Sequence, residues 1–217
     1  MIIGVDEEGG TVVRVSSNPN LAAKPFRSPQ ELFNLGGFEE IKKETEEKSK
    51  LLKSLGINLN LSPVADVSTH EGDFIFDRAF GKSAEETAEY VTAVVEEAKK
   101  NKISSTLKHF PGYGNNADTH TGSAYDKRPY EEFLRSDFLP FKAGIDAGAE
   151  SVLVSHNIVE SIDSELPASL SKKVIDILRN DMDFTGIIMT DDLSMGALSE
   201  IPSPEAMAVK AGCDMLI

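Results

Sequence analysis

Residues 104–114 read SSTLKHFPGYG: a short apolar-centred run, two ionisable side chains, then a proline and two glycines. Such a run bounded by Gly and Pro reads as a buried strand with an abrupt exit. Lys108 and His109 fall at its end, on opposite faces for as long as the strand stays regular. Pro111, Gly112 and Gly114 then turn the chain tightly.

The same unit recurs along the chain. IIGV (2–5), LNLSPVADV (59–67), SVLVSH (151–156), GIIMTDD (186–192) and CDMLI (213–217) are the other strand candidates, which makes six with SSTLKHF. Amphipathic or capped helical segments separate them. Residues 31–54 carry Leu32, Phe33, Ile41, Leu51 and Leu52 among Glu and Lys, with an interruption expected at Gly36-Gly37. Residues 83–101 have Ser83 as N-cap, Glu86 to complete a capping box and lysines in the last turn. Further helices are expected over 129–147, with a proline at the first turn, over 171–181 and near 204–211. No Asn-Gly or Asp-Gly hairpin turn joins neighbouring strands, so the repeated βα unit implies a parallel sheet covered on both faces.

What separates an open doubly wound sheet from a barrel is the position of the polar residues. They cluster at or just past strand C-termini: Asp6 and Glu8, Asp66, Lys108 and His109, His156 and Asn157, Asp191 and Asp192. An open sheet draws its site from a few strands at one switch point, whereas a barrel gathers it from many strand ends. Contribution from five successive strands favours an α/β fold of the (β/α)8 TIM-barrel type, in one domain over residues 1–217. It is incomplete, with about six units where a full barrel has about eight. MIIGV begins and CDMLI ends abruptly in apolar runs, so the chain is expected to be cut from something longer.

Composition narrows the partners. A net charge of −14 opposes binding to nucleic acid or to an anionic membrane. The lone Cys213 excludes an intrachain disulfide and a multi-cysteine zinc site. No run reaches the ~18 apolar residues of a membrane span. MIIGVDEEGG lacks the basic leader and long apolar segment of a secretory signal. A cytoplasmic location is expected for the chain as given, and a signal upstream of Met1 stays open.

Three stretches can hold chemistry. In Asp191-Asp192, one carboxylate can enter a barrel mouth while the other binds the following backbone; the alternative is a helix cap before LSMGAL. In the loop after His109, Asp118 and His120 are spaced so that a carboxylate can orient an imidazole for proton transfer. A solvated Asp-x-His is the competing reading. In VADVSTHEGDFIFDRAFG (64–81), Arg78 lies among Phe74, Phe76 and Phe80. It either grips a ligand oxygen or pairs with Asp77 at the surface. A metal cluster of His109, His120, His156, Asp66 and Asp191 is a further option, although neither H-x-H nor HExxH occurs.

Taken in order, VDEEGGTVVRV, LNLSPVADV, DRAFG, KHFPGYG, ADTH and IIMTDDLSMGAL resemble the catalytic domain of family 3 glycoside hydrolases, in the bacterial β-N-acetylglucosaminidase (beta-hexosaminidase) branch. That resemblance implies a (β/α)8 barrel and a retaining hydrolase that removes β-linked N-acetylglucosamine from peptidoglycan or chitin-derived saccharides. It implies Asp191 as nucleophile, His120 as acid/base and Asp118 as the residue orienting it. Lys108, His109, Asp66, Arg78 and Arg14 match sugar-binding positions, and no metal or organic cofactor is implied. Tyr113 stands where many relatives have histidine, and Asn115-Asn116 departs from a common Asp-Thr, which bears on substrate preference. Two further strands upstream of the first are implied, leaving bare edges here through which the chain could self-associate.

Overall fold

The computed structural model describes residues 1–115, 122 and 124–217. Five of the apolar runs form one parallel sheet in chain order: β1 (Gly4–Val5), β2 (Leu59–Asn60), β3 (Ser104–Phe110), β5 (Ser151–Val154) and β7 (Ile187–Thr190). Two short strands, β4 (Tyr125–Asp126) and β6 (Ile158–Val159), pair in parallel as a separate ribbon. The main sheet is open and curled, an incomplete barrel. The sixth run meets it at a single bridge between Met215 and Met189. There the Met215 N–H donates to the Ile188 carbonyl at 3.2 Å and the Thr190 N–H to the Met215 carbonyl at 3.1 Å.

Alternation along the strands sorts the core into two sides. Val152, Val154, Phe110 and Ile188 join the large cluster shared with the helices, whereas Leu153 and Met189 meet Leu59 in a second cluster. Beyond β1, and beyond the 215–217 segment, the described residues provide no further strand. Met1, Ile2, Ile3, Leu216 and Ile217 are exposed there.

The helices follow local chemistry. Helix α1 (Pro29–Ser54) starts at a Ser28/Glu31 capping box and departs from helical geometry at Gly36 and Gly37, the latter at φ 64°. Helix α2 (Ala84–Lys100) has the expected Ser83/Glu86 box. The expected helix over 129–147 is two: α3 (Tyr130–Arg135) and α4 (Phe138–Ala147). Pro140 explains the break, because it lacks the N–H that would reach the Ser136 carbonyl, and its ring would clash with that group. Helix α5 (Lys172–Asp176) widens into a π-turn over Ile177–Asp181, and α6 (Pro204–Ala211) closes the series. No helix among the described residues is long and apolar enough to cross a membrane.

Leu107, fully buried on β3, sits at the middle of this packing. A Cβ on Gly144 of α4 would lie 2.7 Å from its methyls, so the helix is seated directly on it. Leu107→Ala is expected to cost about 2–5 kcal/mol of unfolding free energy. Urea denaturation checks this, and an unchanged midpoint would contradict the packing described.

Candidate active site

The loop after β1 is fixed from its own sequence. The Glu7 carboxylate is buried and accepts from the backbone N–H groups of Arg14 (2.7 Å), Val15 (2.6 Å) and Ser16 (3.1 Å), and from the Ser16 hydroxyl. Asn60, at the end of β2, brackets Glu7: its Oδ1 accepts from the Glu7 N–H at 3.0 Å and its Nδ2 donates to the Glu7 carbonyl at 2.9 Å. Gly9, at φ 106°, lets this loop press on Arg27, whose carbonyl would be 2.1 Å from a Cβ. Buried Lys48 of α1 donates to the Glu8 carbonyl at 2.6 Å. These contacts hold the Glu8 side chain in place.

Glu8 is the centre of a buried charge network. The Arg78 guanidinium donates to both its oxygens, Nε to Oε2 at 3.0 Å and Nη2 to Oε1 at 2.8 Å. Lys108 Nζ lies 2.5 Å from Glu8 Oε1 and 2.5 Å from Asp6 Oδ1. Burial pushes the Glu8 carboxyl up, but Lys108 and Arg78 outweigh it and bring it down to about 2. Arg78 therefore pairs across the fold with Glu8, not with its neighbour Asp77. Phe80 packs on Tyr90 in the core, while Phe74 lines the cavity described below.

His109 joins this network to Asp66. Arg78 Nη2 lies 3.1 Å from His109 Nε2, and a guanidinium can only donate, so Nε2 is an acceptor. Nδ1 then carries the proton and donates to Asp66 Oδ2 at 2.8 Å. Asp66 also accepts from the N–H groups of His109 (3.0 Å) and Tyr113 (2.7 Å). It is fully buried behind the cavity and acts through His109. The Tyr113 ring stands edge-on to His109 at 5.2 Å and 5.6 Å from Phe74, which gives it a place as a buried wall. Lys108 and His109 both line the cavity, against the opposite faces expected of a regular strand. The cause is a register shift between Leu107 and Phe110 where β3 pairs with β5.

After β7 the two aspartates divide. Asp191 is half-buried, and its Oδ1 accepts from the Asp192 N–H at 2.9 Å. Asp192 is exposed and its Oδ1 accepts from Ser194 N–H at 2.8 Å, which makes it the turn-capping member. His156, buried at the end of β5, faces the Asp192 carbonyl with Nε2 at 3.0 Å and the Ser169 hydroxyl with Nδ1 at 2.8 Å. A carbonyl accepts only, so Nε2 carries the proton.

These groups surround a cavity of ≈ 430 Å³ at the C-terminal ends of the strands, with Asp6, Arg14, Arg78, Lys108, His109 and Asp191 on its wall. Of the residues singled out from sequence, Arg14, Arg78, Lys108, His109 and Asp191 thus come together. Asp66 stands behind them, and Asp118 and His120 lie outside the described residues. Asp6, Glu8 and His156 were visible at strand ends, but their partners were not. Among the described residues no group of three His, Cys, Asp or Glu is placed to hold a metal ion.

A curled parallel βα sheet with acidic and basic groups converging at its strand C-termini defines a barrel of the enzyme type. The chain belongs to glycosyl hydrolase family 3: the family's N terminal domain matches residues 1–217. It falls in the beta-hexosaminidase branch. It is 31% identical over 223 residues to a beta-hexosaminidase of Xanthomonas campestris pv. campestris, covering 100% of this chain and 67% of that protein. A Nitrosomonas eutropha beta-hexosaminidase is 32% identical over 228 residues, with 100% of this chain and 64% of that protein covered. The solved structure of a family 3 beta-N-acetylglucosaminidase from a Paenibacillus sp. superposes with a TM-score of 0.92 at 29% identity, covering 100% of this chain and 42% of that one. The chain thus spans about two thirds of the curated relatives it matches.

Because Glu8 is held below its unfolded value, its contribution to stability is full above about pH 4.5 and is lost as pH falls towards 2. Glu8→Gln is expected to cost about 3–5 kcal/mol at pH 7 by leaving Arg78 and Lys108 under-compensated. Urea unfolding across that range checks both points: the gap between wild type and variant should narrow on acidification. A constant gap would contradict the network.

Proposed function

We propose that the chain is the catalytic part of a retaining β-N-acetylhexosaminidase acting on terminal β-linked N-acetylglucosamine in peptidoglycan or chitin-derived saccharides. The observation that carries this reading is the placement of Asp191 on one cavity wall with Asp6, Arg78, Lys108 and His109. Interleaved donors and acceptors suit a polyhydroxylated ring, and a carboxylate beside them suits attack on it. The family membership supports the same reading, as do the names of the relatives.

In this mechanism the Asp191 carboxylate attacks the anomeric carbon while the bond to the leaving oxygen breaks, giving a covalent glycosyl-enzyme. His120 protonates that oxygen, then takes a proton from the water that releases the sugar and restores Asp191. Asp118 stabilises the imidazolium and sets its orientation. Lys108, Arg78 and Arg14 donate to sugar oxygens. His109 is oriented by Asp66. An imidazole ordinarily titrates near pH 6.5, which suits a group asked to act first as acid and then as base. No step calls on a metal or organic cofactor. The location is proposed as cytoplasmic for the chain as given.

Asp191→Ala and His120→Ala are each expected to lower kcat for an aryl β-N-acetylglucosaminide by about 10³-fold or more, with the fold retained. Near-normal turnover in folded Asp191→Ala would overturn the assignment. Wild-type binding of N-acetylglucosamine without any turnover would make the chain a sugar-binding protein, and a preference for aryl glucoside would make it a β-glucosidase. Activity abolished by a chelator would favour a metal-dependent hydrolase.

We also propose that the chain self-associates through its bare edges at β1 and 215–217. Sedimentation velocity should show a dimer or larger species that Ile3→Lys shifts towards monomer; a monomer at all concentrations would contradict it.

A further inference from the structure

We propose that Arg128 is a positioning residue: it ties together the two ends of the 111–128 segment, and through them sets the proton donor carried between them. The donor's identity rests on the reading given under Proposed function, whereas the clamp rests on geometry alone.

The segment leaves β3 at Pro111 and returns through β4. On the outgoing side, Gly112 sits at φ 121° against Asp137, whose Oδ1 would be 2.3 Å from a Cβ. Gly114, at φ 52°, is pressed on Arg128, whose guanidinium carbon would be 2.6 Å from a Cβ. Arg128 Nη2 also reaches the Gly112 carbonyl at 3.4 Å. On the returning side, Arg128 grips Asp126 of β4: Nε lies 3.1 Å and 3.0 Å from its two carboxylate oxygens, and Nη2 lies 2.8 Å from Oδ2. The Arg128 N–H donates to Asp126 Oδ1 at 2.9 Å as well. Nη1 takes both oxygens of Asp137, at 3.1 Å and 2.9 Å, just before α4 begins.

One planar group thus meets the outgoing backbone, the returning strand and the start of α4. The guanidinium carbon stands 4.4 Å over the Phe133 ring, which closes the remaining face. Asp126 and Asp137 side chains are 3% and 1% exposed, so these forks are shielded from water and fix direction as well as distance. A lysine could supply the charge but not the fork. The outgoing end is held a second time where Asp66 accepts the Tyr113 N–H. The 111–128 segment, which includes Asp118 and His120 in sequence, is thus pinned at both described ends to one guanidinium. Neither Arg128 nor Asp137 lines that cavity.

The test compares wild type, Arg128→Lys and Arg128→Ala in three measurements. Hydrogen exchange should accelerate at least ten-fold at amides within 111–128 while protection in β3, β5 and α2 is unchanged. Affinity for N-acetylglucosamine should stay within about three-fold. For a substrate with a poor, proton-requiring leaving group, kcat/KM, which reports the step that expels the leaving group, should fall about 30-fold or more, but for the 2,4-dinitrophenyl glycoside, which leaves without protonation, kcat/KM should fall at most about three-fold. Unchanged exchange within 111–128 overturns the clamp, and so does acceleration spread over the whole chain in Arg128→Lys. Equal losses on both substrates overturn the positioning of a proton donor. Wild type without turnover on either substrate overturns the hydrolase reading instead, and exchange alone then decides the clamp.

Discussion

One buried carboxylate, Glu8, ties together the mouth of this sheet. It sits between Arg78 from the β2–α2 connection and Lys108 from β3, and it brings two cations to one place without leaving them uncompensated. Removing three charged groups from water is costly, and the arrangement is viable because every contact is short and the guanidinium engages both oxygens. The support runs outward. Asn60 and Lys48 hold the backbone on either side of Glu8, and the Glu7 carboxylate gathers the loop behind it. From Arg78 the same network reaches His109 and Asp66, and through Asp66 the turn at Tyr113.

The βα rhythm was legible because each strand is a compact apolar run and each helix carries its own caps. Ser83 with Glu86 and the Gly36-Gly37 interruption could be read from neighbours within a few positions. What could not be read were pairings between distant segments. Arg78 and Glu8 are 70 residues apart, so Asp77 was the partner suggested by proximity. The strands β4 and β6 have two residues each, too few for any period to register. The split between α3 and α4 has its cause in Pro140, whereas Pro129, placed where a proline favours a helix start, is compatible with one continuous helix. At the site, strand-end position located Lys108, His109 and Asp191. It could not tell that Asp66 would face His109 instead of the cavity, because that depends on the path of the β3 exit.

Polar groups from β1, β2, β3, β5 and β7 reach the strand C-termini within this one stretch of chain, although it spans about two thirds of its curated relatives. The cavity wall is thus drawn from successive strands of the sheet and the loops that follow them. Leu153, which lines the cavity, belongs to the same apolar cluster as Leu59 and Met189, so the wall and the packing of the concave face are continuous. Bare edges at β1 and at 215–217 are the structural consequence of an open sheet, and the apolar side chains exposed there mark where further contacts would be most favourable.

In the proposed mechanism Asp191 is the group that bonds to the sugar. Incubation with a 5-fluoro-β-N-acetylglucosaminyl fluoride, which loses its anomeric fluoride on attack and keeps a ring fluorine that slows release of the glycosyl-enzyme, should add one fluorinated sugar residue to the chain. Peptide mapping should place that mass on Asp191, and Asp191→Ala should not acquire it. An unchanged intact mass, or a sugar attached to a different residue, would contradict the account.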